Sequence, residues 1–249
     1  MSAIPATWEG ESGETLARVL DLPRVEVRRS VPSTMDIAHE LAGAGAAAGT
    51  LVLADEQTAG RGRGGARWHS PAGSGIWMTL IERPNDTRAL EVLSIRLGLK
   101  AAPVLERHAD APIRLKWPND VLAGTGKLGG ILVESRWRES FVDWAAIGIG
   151  VNVERPPGGE GASLRSGTRR LDVLAELVPA LRAAARARGA LTAAELEAWA
   201  ARDHAAGRRC RLPVAGRVRG LAADGSLIVE RDGATALART GSLVLEEEP

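Results

Sequence analysis

Arg61, Arg63 and Arg67 stand in a run built mostly of glycine, Gly60-Arg61-Gly62-Arg63-Gly64-Gly65-Ala66-Arg67-Trp68, with no acid between Gly60 and Ser70. Glycine lets backbone N–H groups approach a phosphate or carboxylate closely, and arginine forks bind such anions through paired hydrogen bonds. The run has the chemistry of a loop that wraps an anion. A second stretch, Lys116-Trp117-Pro118-Asn119-Asp120, is followed seven residues later by Lys127. This lysine lies between Gly124-Thr125-Gly126 and the apolar Leu128-Gly129-Gly130-Ile131-Leu132-Val133. A strand mouth of that kind can hold an ammonium near a ligand oxyanion. Together these segments suggest an active site.

Each segment also has a plain structural explanation. The glycine run would serve as a hairpin tip with solvated arginines, since arginine is mostly exposed. Lys116–Asp120 would serve as a strand ending in a Pro-Asn-Asp turn. Trp68 weighs against the first explanation, because an indole beside a cationic loop needs a surface to pack on, and a purine would provide one. Asn152 either caps a turn or reaches a ligand, and spacing does not decide between them. Cys210 reads as a small buried hydrophobe.

Two familiar nucleotide motifs fail on context. Gly60, Gly62 and Gly65 match the G-x-G-x-x-G fingerprint, which needs a helix immediately afterwards. Arg67-Trp68-His69-Ser70-Pro71 is a poor helix start. Gly124-Thr125-Gly126-Lys127-Leu128 lacks both the four-residue spacer and the Ser/Thr of a P-loop.

The elements that must position these residues follow from periodicity. Ser33 after Pro32 reads as a helix N-cap, with Asp36 completing an approximate capping box before Ile37 and Leu41. The Ala/Gly run 43–49 ends that helix, and Leu51–Ala54 reads as a buried strand leading into the glycine loop. Ile76–Ile81 is a second strand. Leu90, Leu93, Leu97 and Val104 mark a helix over Ala89–Glu106, which Pro103 is expected to kink or end early. Ile113–Trp117, Ile131–Arg136 and Phe141–Val151 read as strands, the last two joined by a turn around Arg138–Ser140. Arg155–Gly167 is a Pro/Gly-rich loop.

Leu171, Leu174, Val178 and Leu181 form the stripe of another helix, and Thr192 with Glu195 caps the next. Beyond Gly207 the pattern turns to short β segments, with Asp224-Gly225 and Asp232-Gly233 as hairpin turns. Some 40 residues of hairpins form a unit too small to be stable unless it docks on the rest.

Composition narrows the classes. The chain has 249 residues, 45% apolar and 25% charged, with a formal net charge of +1. Such a balance gives no global field to recruit nucleic acid or anionic lipid. A single cysteine excludes an intrachain disulfide framework. His39, His69, His108 and His204 show no zinc-ligand spacing. No apolar run approaches the ~20 residues needed to span a membrane, and the N-terminus, with Glu9, Glu11 and Glu14, is unlike a signal peptide. A soluble, cytoplasmic protein is expected, one that binds neither nucleic acid nor membrane.

With these residues in view, the chain resembles the biotin protein ligases, of the short type without an N-terminal DNA-binding domain. The likeness runs from about Arg28 to the C-terminus. It rests on Ser33-Thr34, Glu56-Gln57-Thr58-Ala59-Gly60-Arg61-Gly62-Arg63, Trp68-His69-Ser70-Pro71, Lys116–Asp120, Lys127–Leu132 and Gly148-Ile149-Gly150-Val151-Asn152. Gly216–Leu221 and Asp224–Leu227 are similar to the family's SH3-like C-terminal part.

The resemblance implies an α+β fold: a mixed sheet flanked by helices, like that of class II aminoacyl-tRNA synthetases, over 1–206, and a small SH3-like β-barrel over 207–249. It implies a two-step reaction in which biotin and Mg·ATP give biotinyl-5′-adenylate, and a lysine of a biotin carboxyl carrier protein then displaces AMP. Biotin and ATP are the substrates and Mg2+ travels with ATP, with no residue assigned to it. The partner is the carrier domain of a biotin-dependent carboxylase, and the ligase is a monomer or weak homodimer.

Carried over residue by residue, Ser33, Thr34 and Gln57 hold the ureido end of biotin, and Gly60, Arg61, Gly62 and Arg63 cover it. Lys127 lies near the carboxylate and α-phosphate, and Gly130 lines the pocket. Arg63, Arg67, Trp68, Lys116, Asn119, Lys127 and Asn152 are expected on the ATP or adenylate side. Lys127, Arg63 and Asp120 form the catalytic set, with Asp120 orienting or deprotonating the incoming lysine. Two positions depart from the family pattern. Ala66 stands where arginine is common, leaving Arg67 to substitute, and Met35 stands where asparagine is common. The rival readings are a lipoate–protein ligase and, in another class, an RNA-binding Arg-Gly-Gly element, which would need repeated units or a wider basic face.

Overall fold

A computed structural model describes residues 6–156 and 161–246. In chain order the elements are β1 (Thr7–Trp8), β2 (Glu11–Ser12), α1 (Gly13–Val19), β3 (Val25–Val31), α2 (Thr34–Gly43), β4 (Leu51–Gln57), β5 (Gly75–Glu82), α3 (Thr87–Glu91) and α4 (Leu93–Arg107). There follow β6 (Ile113–Lys116), β7 (Asp120–Ala123), β8 (Gly126–Arg138), β9 (Phe141–Asn152), α5 (Arg170–Arg186) and α6 (Ala193–Arg202). The chain then enters β10 (Arg209–Leu212), β11 (Gly216–Leu221), β12 (Leu227–Arg231), β13 (Ala234–Ala238) and β14 (Val244–Leu245).

Seven strands form one sheet in the order β3-β4-β5-β9-β8-β7-β6. β3 and β4 are parallel and the other neighbours antiparallel, so the sheet is mixed as expected. Both faces of its centre are covered, which is why Ile76–Ile81 alternates poorly in sequence: every residue of β5 is buried. On one face Leu53, Met78, Leu80, Ile147 and Ile149 pack with α4 and α5 in the larger core. On the other, Val52, Ile81 and Ala146 pack under Met35, Ala38 and Ala42 of α2. β1, β2, α1 and β3 precede the glycine loop without a clear periodic signal, and β7, a four-residue strand, starts at the last residue of the Pro-Asn-Asp turn and runs where the sequence gives no strand signal.

The expected helix over 89–106 breaks at Val92, between α3 and α4, and Pro103 sits inside α4. Pro103 is on the exposed face, where water can satisfy the carbonyl that its missing N–H leaves free. The capping box at Thr192 and Glu195 is present. The one at Ser33 is not completed by Asp36: Ser33 accepts from the Met35 N–H, and Asp36 turns to Arg61 instead.

The C-terminal strands form a five-stranded antiparallel sheet, β13-β12-β11-β10-β14. Among the described residues its outer strands β13 and β14 do not pair, so the ladder is open where a closed barrel was expected. β14 has two residues, too few to close it. The unit docks as its size requires. Cys210, Val218, Leu227 and Val229 join the main core, and the buried Trp117 indole donates to the Gly225 carbonyl at 3.0 Å.

Candidate active site

The first turn of α2 faces a cavity, and its hydrogen bonds fix the polarity of that end. The Thr34 N–H donates to Gln57 Oε1 at 2.9 Å, and the Thr34 hydroxyl donates to the same oxygen at 3.0 Å. A backbone N–H can only donate, so the amide oxygen must face it, and the other end of the amide donates to Ser70 Oγ at 2.9 Å. Thr34 has then committed its proton, and the buried Thr79 hydroxyl, 2.8 Å away, donates to Thr34 Oγ1. A hydroxyl has two acceptor sites, so Thr34 keeps one lone pair. Ser33 Oγ accepts from the Met35 N–H and keeps its own proton. The end of the cavity therefore offers an acceptor beside a donor.

The space beyond these groups exists because β8 and β9 carry glycine where a sheet face would carry side chains. Gly130 pairs with Gly150, and Gly148 with Leu132. A Cβ at Gly150 would lie 2.4 Å from Trp68 Nε1, and one at Gly148 would lie 2.7 Å from Met35 Cε. The Trp68 indole lies over Gly130 and Gly150, edge-on to Trp77 with centroids 6.4 Å apart.

The arginine-rich segment is a small hairpin. Gly62 N–H donates to the Ala66 carbonyl at 2.7 Å and Trp68 N–H to the Gly60 carbonyl at 2.9 Å. Gly64 and Gly65 adopt φ of 62° and 81°, a region that favours glycine. Arg63 donates to the Gly241 carbonyl at 3.2 Å and Arg67 to the Thr58 carbonyl at 3.4 Å. Among the described residues neither has an acidic partner. Arg61 does, with Asp36 at 2.8 Å and Glu134 at 3.8 Å.

Lys127 reaches the same cavity through a bulge. On β7 the consecutive Val121 and Leu122 face Gly129 and Lys127 of β8, so β8 holds one extra residue, Leu128. In a regular ladder Lys127 and Gly130, three apart, would point to opposite faces; the extra residue puts them on one face with Asp120. Lys127 Nζ is 2.7 Å from Asp120 Oδ1 and 5.3 Å from the Trp68 ring centroid. Asn119 clamps the turn, its side chain donating to the Ile131 carbonyl at 2.8 Å and its own carbonyl accepting from Ile131 N–H at 3.0 Å. The Trp117–Pro118 peptide that leads into this turn is cis.

These parts converge on one cavity of about 350 Å3. Of the expected residues, Ser33, Thr34, Gln57, Arg61, Gly62, Arg63, Arg67, Trp68, Lys116, Asn119, Asp120, Lys127 and Gly130 line it. Gly60 and Asn152 do not. Gly60 sits at the loop's base, where a Cβ would be 2.4 Å from the Trp68 carbonyl oxygen. Asn152 is buried, and its amide donates to the carbonyls of Lys127 and Ala162 at 3.3 and 3.2 Å. Sequence reasoning left out Met35, Thr79, Gly148, Gly150 and Ser242–Val244 of the C-terminal unit, all of which line the wall. The G-x-G spacing of Gly148 and Gly150 on a strand is the one signal that points to a cleared face.

Asp120 is the carboxylate lining the cavity. Among the described residues no three His, Cys, Asp or Glu side chains are placed to hold a metal ion. That donor set fits Mg2+ carried on a triphosphate, which needs only one or two carboxylates from the protein. No helix of the described residues is long and apolar enough to cross a membrane.

Known proteins resemble this chain in sequence and in fold. The bifunctional ligase/repressor BirA of Bacillus subtilis is 44% identical over 126 residues, which cover 50% of this chain and 39% of the relative. The biotin–[acetyl-CoA-carboxylase] ligase of Paracoccus denitrificans is 42% identical over 115 residues, 43% of this chain and 45% of the relative. The matched segment thus spans less than half of each of these curated relatives. The solved structure of biotin protein ligase from Aquifex aeolicus in complex with biotin and ATP shares the fold, with a TM-score of 0.73 at 23% identity over 90% of this chain and 99% of that one. The biotin/lipoate A/B protein ligase family matches residues 27–152, which carry the cavity's lining apart from Ser242–Val244, and the chain belongs to that family.

Proposed function

We propose that this chain activates biotin with ATP to biotinyl-5′-adenylate and transfers the biotinyl group to a lysine of a biotin carboxyl carrier protein. One observation carries the choice of acid: the α2 end of the cavity presents the Thr34 acceptor beside the Ser33 donor. A cyclic urea, with N–H beside C=O, complements that pair. A dithiolane ring has no N–H to offer, and a site built for polar groups rejects the analogue lacking them. This favours biotin over lipoate. The names of the relatives, and the biotin and ATP bound in the Aquifex structure, support the same reading.

In the first half-reaction a carboxylate oxygen attacks the α-phosphorus and pyrophosphate leaves. Two anions must meet, and the cations that line the cavity offset their repulsion. Lys127 is placed to bridge them, moving off Asp120 to do so. Asp120, which lines the cavity, is the carboxylate that would hold Mg2+ carried on the triphosphate, and the ion would supply further charge neutralisation. The glycine loop shields the mixed anhydride from water. In the second half-reaction the acceptor amine attacks the acyl carbon, AMP departs with the bonding pair, and the amine proton passes to Asp120.

Calorimetry with biotin, followed by ATP–pyrophosphate exchange, tests the proposal. Biotin binding and biotin-dependent exchange are expected. Exchange supported by lipoate but not by biotin would replace it with the other acid.

A further inference from the structure

The three loop arginines are not equivalent. Among the described residues Arg63 and Arg67 bond only backbone carbonyls, whereas the Arg61 guanidinium is held between two carboxylates, Asp36 of α2 at 2.8 Å and Glu134 of β8 at 3.8 Å. Those carboxylates are themselves placed. Asp36 and His39, three apart, share a face of α2. The Trp144 indole N–H donates to His39 Nδ1 at 3.0 Å, which makes that nitrogen the acceptor and leaves Nε2–H to donate to Glu134 Oε2 at 2.9 Å. Beneath the loop, between its backbone and Leu132 and Glu134, is a second opening of about 450 Å3. The tip of the loop therefore stands off the sheet, while Trp68 packs on Gly130 and Gly150 at its base, and Arg61 is its charged tie to α2 and β8.

We infer that Arg61 is a positioning residue, a strap that holds the glycine loop over the acid-binding end of the cavity, with Asp36 and Glu134 as its anchor and the Trp144–His39 pair orienting Glu134. Asp36 lies on the same turn of α2 as Ser33 and Thr34, so the strap ties the loop to the segment that meets the ligand. The inference rests on the proposed adenylation and adds a role for residues outside the reacting groups.

The test is the release rate of preformed biotinyl-5′-adenylate from wild type, Arg61→Gln, Asp36→Asn and the double variant, with KM for ATP measured alongside. Exposed ion pairs contribute up to about 1 kcal/mol, so each single variant should release adenylate up to about fivefold faster. The double variant should be no faster than either single, and KM for ATP should stay unchanged. An Arg61→Gln variant with raised KM for ATP beside a silent Asp36→Asn would make Arg61 a direct ligand and overturn the strap. Trypsin cleavage at Arg63 and Arg67 in the ligand-free protein separates this from the reaction itself. Asp36→Asn and Glu134→Gln should be cut faster than wild type, and equal rates would overturn the strap. A wild type that forms no adenylate would sink the proposed function while leaving the trypsin result to decide the strap.

Discussion

Lys127 and Asp120 form an ion pair at 2.7 Å, on one face of the sheet only because Leu128 bulges out of β8. Under the proposed function, the pair makes the two half-reactions compete for the same groups. In the reaction proposed above, Lys127 leaves Asp120 to bridge the acid and the α-phosphate, and Asp120, once released, is free to receive a proton from the acceptor amine.

Asp120→Asn should therefore separate the half-reactions. Transfer from preformed adenylate to carrier protein should slow by about 10²-fold or more, as loss of a general base does. Exchange of pyrophosphate into ATP should fall far less. Single-turnover transfer and equilibrium exchange measure the two; equal losses would remove the proton-accepting role.

Lys127→Ala should do the reverse. Losing a cation aimed at developing charge lowers the rate by about 10²-fold to 10³-fold, and this should appear in biotin-dependent exchange. Lys127 is 43% exposed, so the variant should unfold at the wild-type temperature. Wild-type exchange would refute the assignment.

Gly150→Ala tests the cleared strand face. The new Cβ would lie 2.4 Å from Trp68 Nε1, on a rigid ring that cannot rotate aside within its plane. Displacing the ring costs about 1–3 kcal/mol, and ligand affinity in calorimetry should fall by about tenfold or more. Gly148→Ala should be milder, because its one close contact is the flexible end of Met35 at 2.7 Å, with Leu132 at ordinary van der Waals distance.

Glu195→Gln tests how the helices behind the site are held. Buried Arg96 donates to both carboxylate oxygens at 2.7 and 3.1 Å, and this hydrogen bonding, first among the causes, holds the Glu195 carboxyl below its usual range. A carboxyl with a depressed folded pKa contributes stability that is present above about pH 4.5, its unfolded value, and is lost as pH falls through the folded value. The variant should lose about 2 kcal/mol at neutral pH, and the gap from wild type in denaturant titrations should close in acid. A gap that widened in acid would contradict this.

Much of the site was legible in the sequence because its chemistry is local. Glycines that permit a tight cationic turn, a cap at Ser33, a lysine at a strand mouth and an Asp-Gly hairpin each act within a few residues of themselves. The resemblance rests on such segments and their order, and the mixed sheet with its helices followed. Other features depended on partners far along the chain. The bulge that aims Lys127 is defined by β7, a strand too short to show a period. Asp36 serves Arg61 rather than its own helix, Asn152 faces backbone carbonyls rather than the cavity, and Ser242–Val244 reach the site only because the C-terminal sheet docks through Trp117. Residue types and spacing determined which groups could act on an anion. Tertiary packing alone decided which of them share a face, because side-chain direction along a strand flips with every residue gained or lost.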